Sequence, residues 1–233
     1  MPILASMVNV WIKNMGLNRK MNASTGCFDV LYAAQAVRKG NIIIYPTETF
    51  WALGGSACSS HVVSRVACMK KRPSGKPLPV IIGSKDDLNK FFYPSPEELE
   101  IGSLFWPGPL SIVVKAGPRL ASGLSDLHGR VCVRWSAHAQ ACELAIESGC
   151  PLISTSANVS GFEPAREFFD LDKGLLKRAD LCLQTRDVPM GGLPSTVIEV
   201  TGKMICRILR PGKVTRDDLQ ARGVDCLHDI QSP

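Results

Sequence analysis

Hydrophobic positions along this chain follow two alternating rhythms, a helical one and a series of short unbroken apolar runs, so helices and strands are expected in turn. Phe28, Leu31, Ala34 and Val37 fall at helical spacing, and Gly40 follows as a terminator. Residues 41–45 (NIIIY) then read as a buried strand, because β-branched residues run together until Pro46 stops them. Residues 61–70 carry Val62, Val63, Val66 and Ala67 on one helical face, and 78–82 form another short apolar strand ended by Gly83. Helix starts follow at Ser84 and Ser95, each with an acid three residues on, Asp87 and Glu98, and Pro96 occupies a first helical position where its missing N–H costs nothing.

Further along, 110–115 and 131–134 read as strands, 137–147 as a helix ended by Gly149, and 152–154 as a buried strand. Residues 196–200 and 204–209 predict a hairpin across Thr201 and Gly202, and a last short helix starts at Thr215 with Asp218 closing its cap. Helices alternate with strands, but hairpin signals are present too. The pattern therefore predicts an α/β fold with a mixed sheet flanked by helices. Residues 1–22 follow neither period and read as an N-terminal extension, leaving 23–233 as one domain; Met21 is an alternative start.

Composition narrows the class. With 233 residues, 45% hydrophobic and 21% charged, the chain is ordinary for a globular protein and long enough to bury a core without disulfides or a structural metal. Nine cysteines, an odd number without CxxC pairs, predict free thiols in a reducing, cytoplasmic compartment. The four histidines make no HxxxH pair, so no protein metal site is expected. The apolar run 2–12 lacks a preceding positive charge and a cleavage site, and no stretch approaches the ~20 apolar residues of a membrane helix, so neither secretion nor a membrane is expected. A net charge of +6 favours anionic partners, a nucleotide phosphate chain at least as well as a nucleic acid.

Three polar segments interrupt the apolar strands where ligand sites of α/β sheets tend to lie. The first, residues 45–54, sets Thr47, Glu48 and Thr49 on a turn, where hydroxyls and a carboxylate orient a small polar substrate or simply cap the turn. The second, residues 70–78, carries Lys70, Lys71, Arg72 and Lys76 among prolines and a glycine. Such a cluster either is solvated or faces an anion, lysine as a point charge and arginine as a planar fork. No Walker-type GxxxxGK[ST] is present, so a phosphate site here is not a P-loop. The third, residues 151–161, presents Ser154, Thr155, Ser156, Asn158 and Ser160, small donors able to bond one anion together.

In order, PTET…LG, KxRP…KPL, PGPL, VxVR, STSAN-SG, PSTV and LRPG resemble the YrdC-like threonylcarbamoyl-adenylate synthases. They stand here at 46–49, 70–78, 107–110, 131–134, 154–161, 194–197 and 209–212. The resemblance covers Phe28 to about Leu219, and seven collinear pieces make chance a poor explanation. It implies a single YrdC-like domain with a twisted mixed sheet around a basic cleft, and catalytic roles for Lys70, Arg72, Ser156 and Asn158. By the same resemblance Arg72, Lys76, Ser156 and Arg210 hold ATP, and Thr47, Arg134, Ser154 and Ser195 hold threonine. Relatives often have asparagine at the place of Lys76. Many read tyrosine-glycine where Trp51-Ala52 stands, a difference expected to reshape the threonine end of the cleft; some have a histidine soon after the second segment, where residues 78–82 offer only apolar residues and proline; larger relatives add a C-terminal domain.

The implied reaction joins L-threonine, bicarbonate and ATP, with Mg²⁺ carried by the nucleotide, into threonylcarbamoyl-AMP and pyrophosphate for modification of tRNA, handing the product to a downstream transferase. No covalent nucleophile is required, and the motifs hold no Ser/His/Asp or Cys/His arrangement. Lys70→Ala or Arg72→Ala is expected to abolish pyrophosphate release with the fold intact, both side chains being exposed in the cleft. Two other readings stay open. One is a tRNA- or double-stranded-RNA-binding module without synthase activity, against which stand 6% aromatic residues and no stacking platform. The other keeps the fold with a different acceptor.

Overall fold

Local signals set most of the element ends. The computed structural model describes residues 30–72, 77–159, 161–183 and 187–227, so the 1–22 extension, Lys76 and Ser160 lie outside the described residues. Helix α1 (Val30–Arg38) buries Ala34 and Val37 of the face read from the spacing, together with Val30, Ala33 and Ala36, but Leu31 is exposed and Phe28 lies outside the described residues; Gly40 turns the chain with φ +82°. It leads into β1 (Ile43–Pro46), which folds back on β2 (Trp51–Gly54) as an antiparallel pair. Helix α2 (Ser60–Met69) is capped by Ser59, whose hydroxyl accepts from Val62 N, and ends at Lys70.

Strand β3 (Val80–Ile82) precedes the short helix α3 (Asp86–Phe91) and β4 (Phe92–Tyr93). Ser84 is not the cap of α3. The helix starts two residues later, at Asp86 after Lys85, and Asp87 Oδ2 instead accepts from Gly83 N at 3.1 Å and Ser84 N at 3.2 Å. Helix α4 (Pro96–Phe105) has the full capping box of Ser95 and Glu98. Next come β5 (Leu110–Ala116), β6 (Arg130–Trp135), helix α5 (Ala139–Ser148) with left-handed Gly149 behind it, β7 (Leu152–Ile153) and β8 (Thr155–Ser156).

A 3₁₀ turn (Phe168–Asp170), α6 (Lys173–Arg178), β9 (Leu181–Cys182), β10 (Thr196–Gly202), β11 (Ile205–Arg210), α7 (Arg216–Ala221) and β12 (Asp225–Cys226) complete the order. The hairpin turns at Lys203 and Met204, φ +55° at Met204, rather than at Thr201 and Gly202, because β10 pairs with β11 out to Gly202. The Thr215–Asp218 capping box opens α7 as expected.

The strands divide between two twisted mixed sheets flanked by helices instead of filling one. A larger sheet runs β12-β11-β10-β5-β6-β3-β7, and a smaller one runs β8-β2-β1-β9. The chain crosses between them at Ser154: β7 pairs with β3 of the larger sheet, whereas β8 pairs with β2 of the smaller. Ser154 N donates to Pro79 O at 2.8 Å and Tyr45 Oη to Ile153 O at 2.8 Å, so both sheets hold the crossover. Among the described residues no helix is long and apolar enough to cross a membrane.

The crossover needs Gly54. A Cβ there would lie 1.6 Å from Ile153 O, inside the covalent range of a backbone oxygen that cannot move without breaking the strand. We expect Gly54→Ala to lower unfolding free energy by about 3 kcal/mol or more, the upper end for overpacking, in a denaturant titration. Gly212 is similarly pressed: its Cβ would stand 2.3 Å from Pro194 O, which is why the LRPG and PSTV segments can lie against each other.

Candidate active site

Period-two alternation in the larger sheet separates core from cleft. In β6, Val131 and Val133 are buried in the core while Arg130, Cys132 and Arg134 line the other face; in β5, Leu110, Ile112 and Val114 face the core and Ser111 and Val113 the cleft. Register sets these rows side by side, Val197 against Ser111, Val113 against Cys132 and Arg134 against Ile81. The β1–β2 turn, residues 154–158 and the end of α2 form the opposite wall, enclosing about 570 Å³. Five cationic side chains, Lys70, Arg72, Arg130, Arg134 and Arg210, and one carboxylate, Asp126, line it among the described residues.

The lysine/arginine and serine/asparagine segments, 86 residues apart in sequence at Lys70 and Ser156, converge here. Lys70 Nζ donates to Ser156 O at 2.6 Å, Asn158 O at 2.5 Å and Asn158 Oδ1 at 3.1 Å. The Asn158 amide donates in turn to Phe162 O, so lysine and loop form one braced unit. Lys70 is 2% exposed, not exposed in the cleft as expected from sequence. It sits at the C-cap of α2 under the Ser/Asn loop, where burial first, and the Arg72 charge second, lower its pKa to about 8. Arg72 is half-buried, with Nη2 donating to Pro77 O at 2.5 Å; burial and then Arg210 lower its pKa, so two guanidiniums share this end of the cleft.

Arg210 reaches back from β11 to Ser195, donating to its carbonyl at 2.7 Å and to its hydroxyl at 3.0 Å, while Ser111 Oγ donates to Ser195 Oγ at 3.0 Å. Thr47 spends its hydroxyl inside the β1–β2 turn, donating to Phe50 O at 2.8 Å and accepting from the amides of Thr49 and Phe50 at 3.3 Å. Thr47, Arg134, Ser154 and Ser195 all border the same cleft as Lys70, Arg72, Ser156, Asn158 and Arg210.

Arg134 is ion-paired to Glu48, both side chains 7% exposed, and Ser136 Oγ donates to the other Glu48 oxygen at 2.5 Å. Burial lowers the Arg134 pKa to about 10, which still leaves a full positive charge at neutral pH. Sequence reasoning saw Glu48 as a carboxylate for substrate; the fold uses it to aim Arg134. Arg130 was missed: its Nε donates to Asp126 at 3.1 Å and its Nη1 to Glu199, and the only sequence sign was an Asp four residues before an Arg. Ala52 and Trp51 both border the cleft, and Trp51 is anchored from behind. It is 1% exposed, donates from Nε1 to Arg166 O at 3.0 Å and meets Phe168 edge-on at 5.8 Å.

Burial holds the Cys132 thiol up near 11 despite Arg210 and Arg72, so this cysteine stays protonated and the reactive features of the cleft are its cations and neutral donors. The Sua5/YciO/YrdC family model, described as "Telomere recombination", matches residues 35–212. The chain belongs to this family. The putative threonylcarbamoyl-AMP synthase of Mycobacterium tuberculosis is 32% identical over 200 residues, 84% of this chain and 90% of the relative. The threonylcarbamoyl-AMP synthase of Halorhodospira halophila is 34% identical over 167 residues, 71% and 86% of the two chains. The crystal structure of P. abyssi Sua5 complexed with L-threonine superposes with a TM-score of 0.75 at 28% identity, covering 85% of this chain; this chain spans 58% of that one. E. coli YciO shares the fold, with a TM-score of 0.68 at 23% identity. Fold and family thus agree with the resemblance read from the seven motifs of this YrdC-like domain.

Proposed function

We propose that this chain is an L-threonylcarbamoyladenylate synthase, forming threonylcarbamoyl-AMP and pyrophosphate from L-threonine, bicarbonate and ATP for the threonylcarbamoyladenosine modification of tRNA. The observation that carries the reading is the clasp of Lys70 on Ser156 and Asn158 beside Arg72 and Arg210, which concentrates cations and neutral donors at one end of a single cleft. Support also comes from the curated relatives, named for this synthase, and from the threonine in the P. abyssi complex.

In this reading the cleft has two ends. Arg72, Arg210 and Ser156, with Lys76 from the neighbouring segment, hold the ATP phosphates; Arg134 takes the threonine carboxylate, with Thr47, Ser154 and Ser195 around the amino acid. The amine captures bicarbonate with loss of water, giving a carbamate; a carbamate oxygen attacks the α-phosphorus, and the bond to pyrophosphate breaks. The protein aligns the two substrates and offsets phosphate charge, the dominant needs of such a transfer. Mg²⁺ would arrive on the triphosphate and share that neutralisation; among the described residues no group of three or more His, Cys, Asp or Glu offers it a protein cage. The product is consumed by a downstream threonylcarbamoyl transferase.

The direct experiment is incubation with ATP, Mg²⁺, bicarbonate and threonine followed by mass analysis for threonylcarbamoyl-AMP. Absence of that product alongside salt-sensitive RNA binding would favour the RNA-binding reading instead. Arg72→Ala should slow threonine-dependent pyrophosphate release about 100-fold while the unfolding midpoint moves little, since Arg72 is half-buried rather than in the core. Arg72→Lys should recover only part of the rate, because a point charge does not replace a planar fork.

A further inference from the structure

Away from the cleft, the segment behind β2 lies against the segment entering β7. Ile153 N donates to Gly55 O and Ala57 N to Pro151 O, both at 2.9 Å, and Ser56 bridges Leu152. Continuing this antiparallel register by one residue sets Cys58 opposite Cys150, and the two thiols influence each other's ionisation. Cys58 is exposed, Cys150 is buried at 9%, and Cys150 Sγ also bonds Ser56 Oγ at 3.3 Å. Neither lines the cleft. Bonding to Cys58 draws the Cys150 pKa down to about 7, while its proton-sharing partner Cys58 is raised; Lys90 and Arg119 favour the thiolates and Asp87 opposes that of Cys150.

Those two cations sit over the Phe91 ring, at 5.0 and 6.0 Å, and line a groove of about 340 Å³ with Tyr93 and Gly117. The strand of chain beyond the groove is tied to the cysteine segment by Ala121 N donating to Ala57 O at 2.9 Å. We propose that Cys58 and Cys150 form a reversible thiol–disulfide site, closed by exchange with a small acidic disulfide that approaches along the Lys90–Arg119 groove. With the proton of the pair passed to Cys150, the exposed Cys58 attacks as the thiolate and displaces one thiolate from the reagent to give a mixed disulfide; Cys150 then gives up its proton, and its thiolate attacks the Cys58 sulfur and expels the second. Two protein thiols are oxidised, the reagent is reduced to two thiols, and the protons shed by the two cysteines end on them. Facing positions of an antiparallel pair lie within the Cα separation that a disulfide spans, so the bond can close without large backbone movement, and it would staple the entry to the Ser154–Asn158 segment to the exit from β2.

The test uses the full reduced chain treated with glutathione disulfide, then digested without reduction and read by mass spectrometry. The expected result is a Cys58–Cys150 linked peptide pair, two hydrogens lighter than the free peptides and restored by dithiothreitol. Cys150→Ser should instead accumulate glutathione on Cys58, and Cys58→Ser should leave Cys150 unmodified. Exposed Cys68 is the internal control for a stable mixed disulfide. Glutathione on Cys58 with Cys150 still free in the wild-type chain would overturn the site. The dianionic reagent should also close the pair several-fold faster than cationic cystamine at low salt, with the difference lost at high salt; an equal or reversed preference would overturn the role of the groove.

Discussion

Lys70→Met should lower the free energy of unfolding by about 3 kcal/mol and leave threonine-dependent pyrophosphate release at least 100-fold below wild type. The stability loss follows from what the ammonium holds. Without it, Asn158 O and Asn158 Oδ1 lose their bonds in a buried place, whereas Ser156 O keeps a second donor in Asn158 N at 2.9 Å. An unsatisfied buried acceptor costs about 1–3 kcal/mol, and two dominate any relief from removing a desolvated charge. The rate loss follows because the freed loop carries Ser156 into the cleft. Denaturant titration and a pyrophosphate assay on the same preparation check both. A variant as stable as wild type would remove the bracing role, and one with full turnover would remove the anion site.

Lys70 also predicts a divergence with pH. Its folded pKa of about 8 lies below the ordinary lysine value near 10.4, so between these values the unfolded chain binds more protons than the folded one. The contribution of this group to stability therefore rises with pH across that window, being least favourable below pH 8. Turnover should do the opposite and decline above pH 8, as the cleft loses a positive charge. Parallel decline of both would assign the titration elsewhere.

The second large effect is expected at Glu48. Glu48→Ala strands the Arg134 guanidinium at a position 7% exposed and takes an acceptor from Ser136, a change that should cost about 3–5 kcal/mol. Glu48→Gln keeps an acceptor and should cost less. Replacing both partners, Glu48→Ala with Arg134→Met, should recover much of the stability while leaving threonine binding impaired, because an apolar pair needs no compensation and carries no charge for a carboxylate. The thermodynamic cycle separates the pair from its surroundings. A rise in the threonine KM of Glu48→Gln larger than its fall in kcat would mark Glu48 as a residue that positions Arg134.

Much of the fold was legible because its causes are local. The Ser95–Glu98 and Thr215–Asp218 capping boxes and the β-branched runs of β1 and β5 need only neighbours within a few residues, whereas the buried face of α1 is turned away from Leu31, a choice made by packing. Strands β4, β8, β9 and β12 have two residues each, too few to display any period, and they escaped notice. So did α6, whose Asp172 cap was obscured by Gly174 in its first turn.

The amino-acid sequence by itself determined the residue types of the site, their order along the chain and the family to which they belong. Tertiary structure alone decided that the strands split into two sheets at Ser154, that Lys70 is buried beneath the loop it serves, and that Glu48 turns to Arg134. The physical reason is range: propensity, capping and periodicity act over a turn or two, whereas burial and partnership depend on which segments, 86 or more residues apart, are folded against each other.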